Sequence, residues 1–222
     1  MSDSPVRAVT FDLDGTLCTY CRSPGEVLAV AFDRVGVDPL FPVEAYYERF
    51  DEFAERANGM ADLRERCFRA LAAERGYDSE TGAAVARAFA AERDHRDVVA
   101  LPGAREVVER LEGAYRLGVV TNGPTDAQRA KIEGVGLSDA FEVVVCAGGE
   151  IPAKPAVEPF ERALSALSVA AGEAAHVGDS AADVTGANRA GVRSVLVGDP
   201  FEGGPTPTDR VDLLDAIPAC WS

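Results

Sequence analysis

The sequence predicts an α/β protein: a Rossmann-like, doubly wound, mainly parallel sheet with an inserted α-helical cap. Three observations predict it. Short apolar runs rich in β-branched residues alternate with helix-patterned segments; each run is apolar almost without interruption, as strands buried on both faces require; and one long interval carries helical patterning alone.

The first run, residues 6–13 (VRAVTFDL), leads into Asp-Gly-Thr and reads as a buried strand entering a loop. Runs at 115–121, 141–147, 174–178 and 193–198 read the same way, with helices predicted between them at 103–113, 125–135, 157–167 and 182–190. From about 20 to 96 no strand is expected. Helical patterning there covers 24–35, 43–57, 61–75 and 81–96, punctuated by Val37-Asp38-Pro39, Asn58-Gly59 and Gly76-Tyr77-Asp78. The expected organisation is a core of residues 1–19 and 97–222 and a helical cap domain of residues 20–96. Residues 200–208, rich in Gly, Pro and Thr, read as a surface loop before a short final segment.

Of the 222 residues, 37 are Asp or Glu and 22 are Lys or Arg, a net charge of −15. That balance argues against a nucleic-acid or anionic-membrane partner, because it offers no general attraction to phosphate backbones. With 47% hydrophobic and 27% charged residues the chain has the composition of a soluble globular domain. Lys131 and Lys154 are its two lysines. An acidic, lysine-poor surface suits a halophilic source, although a GC-biased genome would produce part of the same pattern.

No stretch approaches the ~20 apolar residues of a transmembrane helix. Residues 1–7 lack a basic segment followed by an apolar run, so a cytoplasmic protein is expected. Five cysteines, an odd number, suit reduced thiols. Cys18 and Cys21 form a C-x-x-C without a second pair, and read as small apolar fillers.

In open parallel sheets, ligands bind beyond the carboxyl ends of the strands. Four segments fall there: Asp12-Leu13-Asp14-Gly15-Thr16, Thr121-Asn122-Gly123, Lys154-Pro155, and Gly178-Asp179-Ser180 with Asp183 one turn on. Each alone has a local explanation, as a turn, a helix cap or a solvated lysine. A calcium loop is excluded, since counting from Asp12 puts Gly15 fourth instead of sixth and Ser23 where the bidentate Glu should stand. Local explanations do not account for four acids and a lysine at one end of one sheet. Like charges converging in a cleft repel unless a cation neutralises them, and oxygen ligands without a nearby His or Cys point to magnesium.

In this order and with this insertion, the motifs resemble those of haloacid dehalogenase superfamily hydrolases of the magnesium-dependent phosphatase type, similar to phosphoglycolate phosphatase-like members. Leu101-Pro102-Gly103-Ala104, the stretch QRAKIEGVGL at 128–137, Gly186-Ala187 and Ala190-Gly191 extend the resemblance over essentially the whole chain.

The resemblance implies that Asp12 is a nucleophile forming an aspartyl-phosphate, and that Asp14 is the general acid and then the general base. Magnesium would be held by the Asp12 carboxylate, the Asp14 backbone carbonyl and Asp179, with Asp183 binding directly or through water. The Thr121 hydroxyl, the Asn122 backbone amide and the Lys154 ammonium would grip phosphate oxygens. Members that break carbon–halogen bonds lack an acid equivalent to Asp14, so its presence favours phosphate esters.

The cap would close over the leaving group and set specificity, with Arg22, Arg56, Asn58 and Arg64 as candidate contacts, while pairs such as Glu52 with Arg56 suit a solvated helix face. The substrate class expected is a small phosphorylated metabolite, for a monomer or homodimer. A phosphomutase would use the same motifs. A catalytically silent binding module should show an eroded site, and a phospho-acceptor receiver domain would lack the insertion.

Overall fold

The computed structural model describes residues 5–54 and 57–221. The chain divides into two compact units, Met1–Tyr20 with His95–Ser222, and Cys21–Asp94.

The first unit is built on six parallel strands: β1 (Ala8–Phe11), β4 (Arg116–Asn122), β5 (Val143–Ala147), β6 (Ala174–Gly178), β7 (Arg193–Val197) and β8 (Asp209–Val211), in the spatial order β5-β4-β1-β6-β7-β8. β1 is central, with Phe11 opposite Val119 on one side and Val177 on the other. The chain winds from β1 outward through β4 and β5, then returns to lay β6 against the opposite edge of β1. That reversal opens the crevice of a doubly wound sheet beyond the carboxyl ends of β1, β4 and β6.

Strand alternation explains the nearly unbroken apolar runs. Val9 and Phe11 join a cluster with Leu117, Val119 and Val177 on one face, while Ala8 joins Val120, Phe160, Leu167 and Ala187 on the other. Both faces are covered by helices: α6 (Ala104–Leu111), α7 (Thr125–Gly134), α8 (Glu158–Leu167) and α9 (Ala181–Arg189). α9 starts with a capping box in which Ser180 and Asp183 satisfy each other's backbone amides.

Three short strands were not expected from the sequence. β2 (Cys18–Tyr20) and β3 (Val98–Ala100) form a small antiparallel ribbon, with Tyr20 opposite Val98. The ribbon keeps Tyr20 and His95 in the first unit, where the Tyr20 hydroxyl and His95 Nδ1 are 2.6 Å apart. β8 follows the loop of residues 200–208 and is likewise only three residues long.

The second unit contains α1 (Pro24–Val35), α2 (Val43–Glu48), α3 (Phe50–Ala54), α4 (Met60–Glu74) and α5 (Ser79–Glu92). Ser23 and Glu26 form a capping box at the start of α1, and Gly36 ends it at φ 77°, a left-handed conformation that favours glycine. The expected helix at 43–57 is two short helices that break at Arg49. Phe41, Tyr46 and Phe89 surround Phe68 edge-on at 5.0, 5.3 and 5.9 Å between ring centroids. Gly82 lets α5 approach α4 closely, since a Cβ there would lie 2.2 Å from the Phe68 carbonyl oxygen. No described helix is long and apolar enough to cross a membrane.

Candidate active site

Asp12 follows β1 directly, and its amide donates to the Val177 carbonyl at 2.8 Å, continuing the ladder to β6 by one residue. Its carboxylate, on a residue 8% exposed, thus stands at the mouth of the crevice between two strands. Lys154 arrives from the loop after β5. Its ammonium donates to Asp12 Oδ1 at 2.7 Å, Asp183 Oδ1 at 2.6 Å and the Val120 carbonyl at 2.7 Å, using all three of its protons. Asn122 fixes that loop: its Oδ1 accepts from the Lys154 amide at 2.8 Å and its Nδ2 donates to the Lys154 carbonyl at 3.2 Å. The Asn122 side chain is therefore committed to holding the loop.

Asp179 follows β6, and its Oδ1 accepts from the Thr16 hydroxyl at 2.7 Å. Gly15, at φ 82°, brings the first loop against this carboxylate; a Cβ there would lie 2.4 Å from Asp179 Oδ2. Gly178 does the same for Asp183, whose carboxyl carbon would lie 2.4 Å from a Cβ. Two close approaches that only glycine allows thus seat two carboxylates.

Carboxylate oxygens of Asp12, Asp179 and Asp183 all lie within 4.8 Å of one another. Burial, reinforced by the charge of Asp183, pushes the Asp12 carboxyl up to about 6 against the pull of Lys154. Burial also pushes Asp179 up, opposed by the Thr16 hydrogen bond. Asp183 is buried too, yet its bonds to His176 and Lys154 hold it well below the usual carboxylate range. For Lys154, burial opposes the charge, but Asp12 and Asp183 outweigh it and push the ammonium up. Three acids facing one lysine are short of positive charge, and their hard oxygen donors fit a hard divalent cation.

The structure also supplies residues that sequence reasoning did not assign. His176, buried on β6, places Nε2 3.1 Å from Asp183 Oδ1 and Nδ1 2.9 Å from the Thr10 hydroxyl. Burial pushes the imidazole down, so Nε2–H donates to Asp183 and Nδ1 accepts from Thr10. The expectation of no His near the acids is therefore corrected: its alternation on β6 points it inward behind Asp183, as a partner of the carboxylate.

Lys131 donates to both oxygens of Asp14 at 2.7 Å, and Gln128 Nε2 donates to Asp14 Oδ2 at 2.9 Å and to the Thr121 hydroxyl at 2.6 Å. The available signal was their position: Gln128 and Lys131 lie three apart on the buried face of α7, with Ala127 and Ile132.

Of the candidate contacts in the helical unit, Arg22 is tied to Glu92 at 2.7 Å. Asn58 donates its amide to Asp62 at 2.9 Å. The Arg64 guanidinium stands 5.1 Å from the Phe89 ring centroid. Arg56 lies outside the described residues, and Glu52 pairs with Arg49 at 2.8 Å. Cys18 and Cys67 are buried as fillers, whereas Cys21 is exposed, contrary to the filler reading.

The model of the family described as haloacid dehalogenase-like hydrolase matches residues 6–191. The chain belongs to the haloacid dehalogenase-like hydrolases. It is 34% identical over 208 residues to a ribulose-1,5-bisphosphate 5-phosphatase from Halopiger xanaduensis, covering 88% of this chain and 85% of the relative. It is 36% identical over 201 residues to a phosphoglycolate phosphatase from Rhodospirillum rubrum, covering 86% and 79%.

A phosphoserine phosphatase from Thermus thermophilus is 40% identical over 137 residues, which is 61% of this chain and 54% of that relative. Among solved structures of such hydrolases, a 2-haloacid dehalogenase from Pseudomonas syringae superposes with a TM-score of 0.71 at 26% identity, covering 97% of each chain.

Proposed function

We propose that this hydrolase is a magnesium-dependent phosphomonoesterase that acts on a small phosphorylated metabolite through an aspartyl-phosphate. The observation that carries this reading is the Asp12 carboxylate at the end of the central strand, hydrogen-bonded to Lys154 and grouped with Asp179 and Asp183. The three relatives described above, all phosphatases, favour a phosphate ester over a carbon–halogen bond. Asp14 supports the same choice, because it supplies an acid for an alcohol leaving group.

The carboxylates of Asp12, Asp179 and Asp183 and the Asp14 carbonyl would hold the magnesium ion. When bound, it would supply positive charge to the phosphoryl oxygens. Asp12, at about 6, is ionised at neutral pH, as a nucleophile must be. Its oxygen bonds to phosphorus as the ester P–O bond breaks, and Asp14 gives its proton to the departing alcohol oxygen. Water then loses a proton to Asp14 and attacks phosphorus, releasing inorganic phosphate and restoring the Asp12 carboxylate. Thr121, the Asn122 amide and Lys154 would orient the phosphate. The helical unit is read as the cap that selects the substrate.

The test is phosphate release from a panel of small phosphomonoesters including 2-phosphoglycolate, with Mg²⁺ or with EDTA, beside Asp12→Asn. Release that requires Mg²⁺ and vanishes in the variant is expected. Isomerised sugar phosphate without release of phosphate would instead identify a mutase.

A further inference from the structure

We propose that Lys131, together with Gln128, is a positioning residue for the acid–base carboxylate of Asp14; the proposal rests on the acid–base reading of Asp14 given above. Lys131 is one of two lysines in the chain, and the other is Lys154 in the same crevice. The Lys131 side chain is 6% exposed and that of Asp14 42%. The ammonium therefore approaches from inside the protein and leaves the outer side of the carboxylate open.

Three donated hydrogen bonds set the orientation of that carboxylate. Lys131 gives one to each oxygen at 2.7 Å, and Gln128 gives one to Oδ2 at 2.9 Å. The second proton of the Gln128 amide goes to the Thr121 hydroxyl at 2.6 Å, which ties Asp14 to the end of β4. The ammonium is itself held from behind, 4.8 Å from the centroid of the Tyr20 ring, in cation–π contact. The Tyr20 hydroxyl is in turn 2.6 Å from His95 Nδ1. An ordinary exposed pair would leave such a lysine free to swing; this one has little room to do so.

The chemistry needs such a grip. Asp14 must present its proton to the ester oxygen as the P–O bond breaks, with the electron pair staying on the alcohol. It must then present the resulting carboxylate to water after the alcohol has gone, when no leaving group remains to orient it. Lys131 takes no part in the proton transfer and supplies direction. Positioned acid–base catalysis contributes roughly 10²–10⁴-fold, so loss of aim should take a sizeable part of that.

The test compares p-nitrophenyl phosphate, whose leaving group departs without protonation, with phenyl phosphate, whose leaving group needs it more. For Lys131→Met, kcat/KM, which reports cleavage of the ester P–O bond and not the later hydrolysis of the shared intermediate, should fall about 100-fold on phenyl phosphate and about 10-fold or less on p-nitrophenyl phosphate. Asp14→Asn should show the same asymmetry, larger, and Lys131→Arg should recover part of the loss. Lys131→Gln, which keeps a donor without the charge, carries the comparison if Lys131→Met does not fold. Equal losses on the two esters in the Lys131 variants, with the asymmetry intact in Asp14→Asn, overturn the proposal. Absence of the asymmetry in Asp14→Asn overturns the acid reading of Asp14 and the proposal with it, and a wild type inert on both esters overturns the phosphatase reading itself.

Discussion

Lys154 donates to the Asp12 carboxylate across 2.7 Å from a position 142 residues further along the chain. The same ammonium reaches Asp183, and the side chains of Lys154 and Asp183 are 2% and 1% exposed. Two carboxylates thus depend on one buried cation.

Lys154→Met should destabilise the metal-free protein by about 3–5 kcal/mol, because both carboxylates then lose their shared partner. Mg²⁺ should raise the melting temperature of the variant by more than it raises that of the wild type, since the ion supplies the missing charge. Calorimetric melts with and without Mg²⁺ check both, and an equal rise in the two proteins would contradict the shared-cation account.

Thr16→Val should weaken Mg²⁺ binding by about 10–100-fold while leaving the fold intact. The Thr16 hydroxyl holds Asp179 Oδ1 at 2.7 Å, and valine keeps the shape without the donor. Isothermal titration of the metal-free protein with Mg²⁺ measures this directly; unchanged affinity would show that Gly15 alone seats the carboxylate.

Gly82→Ala should destabilise the protein by about 1–3 kcal/mol, because the new methyl would lie 2.2 Å from the Phe68 carbonyl oxygen. The sign is diagnostic, since the same exchange in an open helix stabilises by about 1 kcal/mol. Urea titration of wild type and variant decides between them.

Cys21 should label with a maleimide at pH 8 while Cys18 and Cys67 do not. Burial pushes the Cys67 thiol up to about 11 and, with the charge of Asp14, the Cys18 thiol up to about 12, so at pH 8 roughly one in a thousand Cys67 side chains or fewer is a thiolate. Peptide mapping by mass spectrometry after brief labelling reads the result. Rapid labelling of Cys67 would mean that the helical unit opens.

The sequence by itself determined the parallel sheet, because nearly unbroken apolar runs such as Ala8 to Phe11 and Val143 to Ala147 are needed only where both faces are covered. It also determined the segments from which the site is drawn, because a strand's last residue fixes which polar side chain stands at the crevice. Asp12 and Asp179 each stand one residue beyond β1 and β6, and Thr121 is the penultimate residue of β4.

Only the tertiary structure decided what those side chains meet. Lys131 lies 117 residues from Asp14, Thr16 lies 163 from Asp179, and His176 reaches Asp183 by pointing inward from its strand. A hydrogen bond is directional and reaches about 3 Å, so its partners follow from how helices and loops settle on the sheet. The β2–β3 ribbon stayed illegible for a related reason. Three-residue strands such as Cys18–Tyr20 are too short for their own periodicity to register, and they are held by the partner strand that folding brings to them.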